Sequence, residues 1–233
     1  MSFNYTISQP TAIVQFYAGY SLPMGDLKGS FGNTFSTWTG NGNPDTNTFF
    51  MKSGINYGFI VKIPIAKKSP FQITGGIGFN SFGNSVTYDD TTGSADITLK
   101  QNHLTIFLGG EYKYFSKKSK FIPFAGAEFT VNFIGGSLNM IYPEQERNFT
   151  MNSTTRFGFQ FGAGVDYILH QNIGIAVGAK YAFSNLIGKS FKEDIGTKYN
   201  LNDDKHTFNG SSFPAKNIQY LQFYGGISFY FGM

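Results

Sequence analysis

Leu221-Gln222-Phe223-Tyr224-Gly225-Gly226-Ile227-Ser228-Phe229-Tyr230-Phe231 changes character at almost every step. Its odd positions carry Leu221, Phe223, Gly225, Ile227, Phe229 and Phe231, its even ones Gln222, Tyr224, Gly226, Ser228 and Tyr230. Successive side chains of a strand point to opposite faces, so this period of two predicts a strand with one apolar and one small or polar face. Thr155–Tyr167 repeats it: Phe157, Phe159, Phe161, Ala163, Val165 and Tyr167 alternate with Arg156, Gly158, Gln160, Gly162, Gly164 and Asp166. A helix would scatter those glycines round its surface. A soluble sandwich would turn a polar face outward and set few glycines against large aromatics. Here the small and polar face reads as a crowded lumen, and the aromatic face as one that meets lipid.

Eight such segments are expected: Ala12–Leu22, Met51–Ile63, Phe71–Tyr88, Asp96–Phe115, Phe121–Leu138, Thr154–Leu169, Ile173–Asn185 and Lys216–Phe231. The connections Pro64–Pro70, Ser116–Lys120 and His170–Asn172 are short, whereas Pro23–Phe50 and Leu186–Ala215 are long. Short turns at one end and long loops at the other belong to barrels that cross a membrane on strands. The predicted fold is therefore all-β, a closed antiparallel up-and-down transmembrane β-barrel of about eight strands. It is read as a single domain over residues 1–233, with a periplasmic tail at 1–11 and extracellular loops near 23–50 and 186–215. Closure should pair the first strand with the last, because open edges cannot leave backbone groups unsatisfied in hydrocarbon.

Composition agrees. Charged residues are 14% of the chain against a usual quarter, while Phe supplies 27 positions, Tyr 14 and Gly 29. Leu occurs only 10 times, unlike a soluble helical protein. No stretch reaches the roughly 18 apolar residues of a transmembrane helix. The net charge of +4 comes from 16 Lys and 2 Arg scattered along the chain, too little for a phosphate-backbone footprint, so nucleic acid is not an expected partner. There is no cysteine, which excludes disulfides and thiolate metal sites, and no cofactor is expected. Met1-Ser2-Phe3-Asn4-Tyr5 lacks the basic and apolar regions of a secretory signal, and an exported barrel is expected to have had one removed.

The last strand resembles the outer-membrane assembly signal, apolar residues at alternate positions ending in an aromatic: Gly225, Ile227, Phe229, Phe231. Gly232 and Met233 follow, which displaces that aromatic from the final position. The stretch from Ala18 to Leu27, Phe121-Ile122-Pro123-Phe124-Ala125-Gly126-Ala127-Glu128-Phe129, and Phe161-Gly162-Ala163-Gly164-Val165-Asp166-Tyr167 resemble the small outer-membrane β-barrel domain family of OmpA- and OmpX-type barrels. The resemblance implies a bacterial outer-membrane location with periplasmic termini, in a family of adhesins, anchors and narrow channels. It leaves activity open.

Alternation gathers Lys62, Glu111, Lys113, Glu128, Arg156, Asp166 and Lys180 inside the barrel, with Gln160, Gln222 and Tyr224. In a narrow lumen such charges must pair to offset desolvation, so an ionic plug is the first reading and a proton or small-solute path the alternative. Arg156 and Lys180 are expected to share Glu128, Asp166 or Glu111. Gly158, Gly162, Gly164 and Gly178 are expected to make room for those two long cations. Phe157, Phe159, Phe161, Val177, Tyr181, Phe223 and Phe229 are expected to face lipid.

Catalytic candidates are sparse. Some small outer-membrane barrels act on lipids with a His, Ser and acidic set near the outer rim. His103, His170 and His206 are the only histidines, and no His-x-Ser pair occurs. A solvated or hydrogen-bonded role is expected for each, since a nucleophile needs a base within reach. Glu193, Asp194, Asp203 and Asp204 lack calcium-loop spacing and mix with lysines, which predicts a solvated loop. Lys67, Lys68, Lys117, Lys118 and Lys120 sit in short turns, solvated or touching lipid phosphate or an acidic periplasmic partner. The expected function is a non-enzymatic structural or interaction component, with outer-membrane lipid and other outer-membrane or periplasmic proteins as partners, or an accessory subunit of a larger assembly. A narrow channel for small or hydrophobic solutes and a lipid-modifying enzyme are the alternatives.

Overall fold

A computed structural model of the chain describes residues 9–29, 48–67, 69–90, 93–114, 119–170, 172–192, 196–208 and 211–232. The strands are β1 (Ala12–Gly25), β2 (Ser53–Pro64), β3 (Phe71–Asp90), β4 (Gly93–Lys113), β5 (Phe121–Ile141), β6 (Glu146–His170), β7 (Ile173–Ile187), β8 (Lys198–Tyr199), β9 (His206–Phe208), β10 (Ser211–Phe213) and β11 (Ile218–Phe231). β1 to β7 follow one another round a ring, each antiparallel to its neighbours, and β11 joins β7 to β1. Closure runs from Ala12 opposite Phe231 to Gly25 opposite Ile218. The molecule is the closed eight-stranded up-and-down barrel that the alternation predicts.

The register fixes the tilt. Stepping from Ile13 through Lys62, Thr74, Gly109, Glu128, Gln160, Ala182 and Tyr220 returns the circuit to Pro23, ten residues further along β1. Such a stagger needs strands inclined by roughly 35–45°, and eight of them leave an interior just wide enough to be filled by side chains. It also means that each registered row climbs toward the long-loop end from β1 to β6.

On the outer face the positions from Phe71 to Phe79 and from Leu104 to Tyr112 are large apolar residues or glycine, and Ile73, Ile106 and Leu108 are 50%, 46% and 63% exposed. Spans of about nine residues suit a tilted strand crossing hydrocarbon. Phe16, Ile55, Phe129, Phe161, Val177 and Ile227 continue this surface round the ring, all exposed. So continuous an apolar band would not be stable in water. The class of surface is that of a transmembrane barrel.

Above the band the polarity reverses. Ile97, Leu99, Leu138 and Met140 point inward and are buried, while the outward row Ser85, Thr98, Asn139 and Asn148 is polar. β3, β4 and β5 end close to the expected bounds, at Asp90, Gly93 and Ile141, whereas β6 begins at Glu146, well before the expected Thr154. These hairpins continue the wall into a projecting sheet, because apolar residues now have a core to cover and water outside. Its inner surface packs on Leu27, Met51, Leu201 and Ile218. The expected bare loop at 186–215 contains β8, which pairs with β6, and the β9–β10 hairpin. Of the expected tail and first long loop, residues 1–8 and 30–47 lie outside the described residues.

Candidate functional site in the barrel lumen

Strand alternation delivers all seven expected charged residues to the interior, each at most 9% exposed. They are sorted into layers. Nearest the short turns, Ile13, Ile122, Ile168 and Tyr230 form an apolar floor. Lys113 then pairs with Asp166, both fully buried, and Lys62 Nζ donates to both Glu111 carboxylate oxygens at 2.9 and 3.1 Å. Lys62 also lies 4.3 Å from the centre of the Phe124 ring.

The middle is not the uniformly polar lumen that alternation suggested. Tyr17, Ile60, Phe107, Phe124 and Tyr224 form an apolar cluster across it, with the Tyr17 and Tyr224 rings 5.3 Å apart. Here the inward glycines find their use. A Cβ at Gly58 or Gly78 would stand 2.7 or 2.6 Å from the Tyr17 hydroxyl, and one at Gly178 would stand 2.5 Å from that of Tyr224. Gly162 borders Lys180, but Gly164 and Gly158 make room for the Phe124 ring and Thr130, so the glycines serve mainly bulky neighbours other than the expected cations. Aromatic rings and small residues alternate because a barrel this narrow cannot hold a side chain from every wall at one height.

Glu128 sits above this cluster and gathers three donors: Lys180 Nζ at 2.7 Å, Gln160 Nε2 at 2.6 Å and the Thr74 hydroxyl at 3.1 Å. Lys180 also lies over the Phe107 ring at 4.5 Å. An uncharged layer follows, in which Ser21 and Gln222 donate to Asn80 at 2.8 Å and Thr105 donates to Asn132 at 2.8 Å.

Arg156 departs from expectation. It touches none of Glu128, Asp166 and Glu111; its Nε and Nη2 donate to Asp203 at 2.9 and 2.7 Å. Asp203 is fully buried rather than part of a solvated loop, and it also accepts from Asn185 Nδ2 at 2.9 Å and the Ser190 N–H at 3.1 Å. The reason is height: Arg156 stands beside the upper end of β7, next to the Phe157–Ile187 pair and above the strand carboxylates, and the last long loop folds back to supply its counterion. Burial alone would lift the Asp203 carboxyl, but hydrogen bonds from Arg156, Asn185 and Ser190 outweigh it and hold the group below the ordinary aspartate value. Beside it, burial pushes the Lys216 ammonium down to about 8 against the attraction of Asp26 and Asp203. Asp26 in turn accepts from the Asn217 N–H at 2.6 Å, joining the first and last long loops.

Of the histidines, His103 departs from expectation, while His170 and His206 are solvated or hydrogen-bonded as expected. His103 is neither solvated nor hydrogen-bonded. It is fully buried between the rings of Phe82 and Tyr220, at 5.2 and 5.6 Å, and neither ring nitrogen has a hydrogen-bond partner among the described residues. His206 is stacked between Phe191 and Phe213, at 4.0 and 5.0 Å, with its Nδ1 3.0 Å from the Asp204 carbonyl oxygen, and His170 is exposed at the end of β6. Among the described residues no three His, Asp or Glu side chains are grouped to hold a metal ion. Asp204 caps the Lys205 N–H at 2.8 Å, and Glu193 and Asp194 lie outside the described residues. Lys67 and Lys120 are exposed; Lys68, Lys117 and Lys118 lie outside the described residues.

Outside the barrel, Phe157, Phe161, Val177, Phe223 and Phe229 are exposed. Phe159 and Tyr181 share that face but are partly covered, Phe159 by Phe129 at 5.6 Å and Tyr181 by a hydrogen bond to Gln219 at 2.8 Å. Gly225, Ile227, Phe229 and Phe231 of the terminal strand also line the outer face.

No protein-family model and no curated protein matches the chain. Among solved structures, the chain is similar to Neisserial surface protein A, with a TM-score of 0.47 and 13% identity over 95% of this chain and 97% of that one. It is similar to Ail, the attachment invasion locus protein of Yersinia pestis, with a TM-score of 0.41 and 10% identity over 95% and 99% of the two chains. It is also similar to the outer membrane protease OmpT of Escherichia coli, with a TM-score of 0.39 and 15% identity over 78% and 65%. By its own geometry the molecule is a transmembrane β-barrel of eight strands, and its task has to be read from its own residues.

Proposed function

We propose that the protein is a non-enzymatic component of the bacterial outer membrane, with its termini in the periplasm, and that it works through the surfaces it presents rather than through its lumen. The observation that carries this reading is the layered interior. Three ion pairs, Lys113 with Asp166, Lys62 with Glu111 and Lys180 with Glu128, alternate with two apolar clusters along the barrel. A water path would have to open apolar contacts and break charge pairs at successive levels, so the ionic-plug reading is preferred to the channel. At the long-loop end the projecting hairpins and folded loops supply a platform, which supports an interaction or accessory role beside other envelope proteins.

Reconstitution into a planar bilayer tests the plug. No steady current above the bare membrane is expected, and salt-dependent single-channel steps would overturn it. Co-purification from native membranes in mild detergent tests the interaction role: a persistent larger complex is expected, and a lone monomer would count against it.

A further inference from the structure

The outer wall carries a groove where the apolar band ends. The row Ala18, Tyr57, Phe79, Leu104 and Phe133 is apolar throughout. One step nearer the long loops, the row begins with Tyr20 and Ile55, 45% and 58% exposed, and turns polar at Ser81, whose hydroxyl donates to Asn102 at 2.8 Å. The next row runs through Ser53, Gly83, Lys100, Ser137 and Thr150. β2 starts at Ser53, opposite Gly83, whereas β3 continues to Asp90, so the wall has a step at this height.

In the step lies a groove of about 430 Å³. Lys52 and Lys100 line it, with the hydroxyls of Ser53, Ser85 and Thr98, and Tyr20 and Ile55 form the margin toward the band. Gly83 lines it too, and the space beside it is open, the nearest atom to a Cβ there being the Leu99 carbonyl oxygen at 3.6 Å. Both lysines are exposed, and among the described residues neither is in an ion pair. Nearby on this face Asp96 accepts from the Thr87 hydroxyl at 2.7 Å. Two ammonium groups in no ion pair among the described residues, the Ser53 hydroxyl, the hydrogen-bonded Ser85 and Thr98 hydroxyls and an adjoining apolar wall match a phosphate that is tethered to acyl chains. A free phosphate would have no use for the apolar margin, and a neutral headgroup none for the lysines.

We propose that this groove seats the phosphate of an outer-leaflet lipid headgroup, held by Lys52 and Lys100, with the acyl chains descending past Tyr20 and Ile55. The proposal rests on the membrane reading above and names the lipid chemistry one sector of the wall selects. Each lysine near a charged membrane surface contributes enough that removing one should weaken retention about fivefold and removing both about thirtyfold.

The test uses the full chain in neutral detergent, titrated with a diphosphorylated, acylated glucosamine disaccharide and with the same lipid lacking phosphates, and read by native mass spectrometry. One phosphorylated lipid per barrel is expected to be retained, with K52Q/K100Q losing it about thirtyfold. K52R/K100R and the turn variant K67Q/K120Q should keep it. Equal retention of the phosphate-free lipid, or undiminished retention by K52Q/K100Q, would overturn the proposal. Displacement by inorganic phosphate at matching concentration would also overturn it, in favour of a free-anion site. Failure of the wild-type barrel to insert into phosphatidylcholine vesicles would instead sink the membrane reading, a separate result because lipid retention is measured in detergent.

Discussion

The lower lumen and the mouth of the barrel both bury cations, and they neutralise them by different means. In the lower lumen Lys113 and Lys62 are matched by Asp166 and Glu111, so both members of each pair are built into the wall. At the mouth Arg156 belongs to β6, but its counterion Asp203 arrives from the last long loop. Opening the lower pairs requires taking the barrel apart. Opening the upper one requires only that a loop lift, so the same chemistry stabilises the whole fold in one place and a local closure in the other.

The largest effect should come from the lower lumen. Asp166 and Lys113 are both fully buried, and D166N would leave Lys113 without its counterion beneath an apolar layer. A loss of about 3–5 kcal/mol is expected, the usual cost of removing one member of a buried pair. Urea unfolding from lipid vesicles, followed by the mobility shift between folded and unfolded barrel, would measure it. A loss below about 1 kcal/mol, as for an exposed pair, would remove the contrast with the mouth.

E128Q should follow at about 3 kcal/mol. Glu128 accepts from Thr74 and Gln160 as well as Lys180, and a Gln retains one carbonyl for those donors while the cation is stranded. Lys180 is 9% exposed and can recover some hydration, which Lys113 at 0% cannot. The same unfolding assay should therefore rank E128Q below D166N. The reverse order would mean that depth does not govern the cost.

The ring of strands and the inward set of charges were legible because period-two alternation survives any uncertainty about strand ends. Arg156 and Asp166 are ten residues apart on one strand, and parity alone sends both inward. Parity says nothing about height, so it could not tell which carboxylate Arg156 would reach. The inward turn of the apolar side in the upper walls was hidden for a different reason. Leu104, Ile106 and Leu108 are apolar and outward, whereas Ile97 and Leu99 are apolar and inward on the same strand. The geometric alternation continues from Ile97 to Leu108, and the expected segment Asp96–Phe115 covers both, but its polarity flips where the medium outside changes from lipid to water, which alternation by itself does not announce. In β6 the register also shifts opposite Ile134 and Gly136, which moves Met151 to the inner face against the parity of Arg156. The burial of His103 carried no local signal, because its neighbours Phe82 and Tyr220 come from other strands.

D203N should cost less and act locally. It weakens charge-assisted hydrogen bonds worth about 1.5–3 kcal/mol each, but Arg156 keeps its bonds to Thr154, the Thr155 carbonyl and Ser190 at 2.9–3.0 Å and can meet water once the loop lifts. Limited proteolysis should cut between residues 189 and 217 in D203N while the barrel remains folded in the mobility assay. Global unfolding of D203N, with no intermediate in which only the loop is cleaved, would show that the mouth is as integral as the lower lumen.

The smallest expected effect is the pH dependence of the closed mouth. Asp203 has a depressed folded value, so the stability it contributes is present above the ordinary aspartate pKa of roughly 3.9 and is lost as pH falls through the lower folded one. Lys216 has the opposite sign, because the closed loop disfavours its charged form. Between about 8, its folded value, and the ordinary lysine value of roughly 10.4, the open loop binds more protons than the closed one. Raising pH through that window should therefore tighten closure. Amide exchange at 196–208 and 211–217, normalised to intrinsic rates, should speed up in strong acid and slow modestly in mild alkali, while the strand amides around Lys62 and Glu128 stay protected. K216M should abolish the alkaline slowing and leave the acid response, and D203N should do the reverse. If acid instead released strand and loop amides together, the loop would be no more easily opened than the wall, and the distinction between the two ends would be lost.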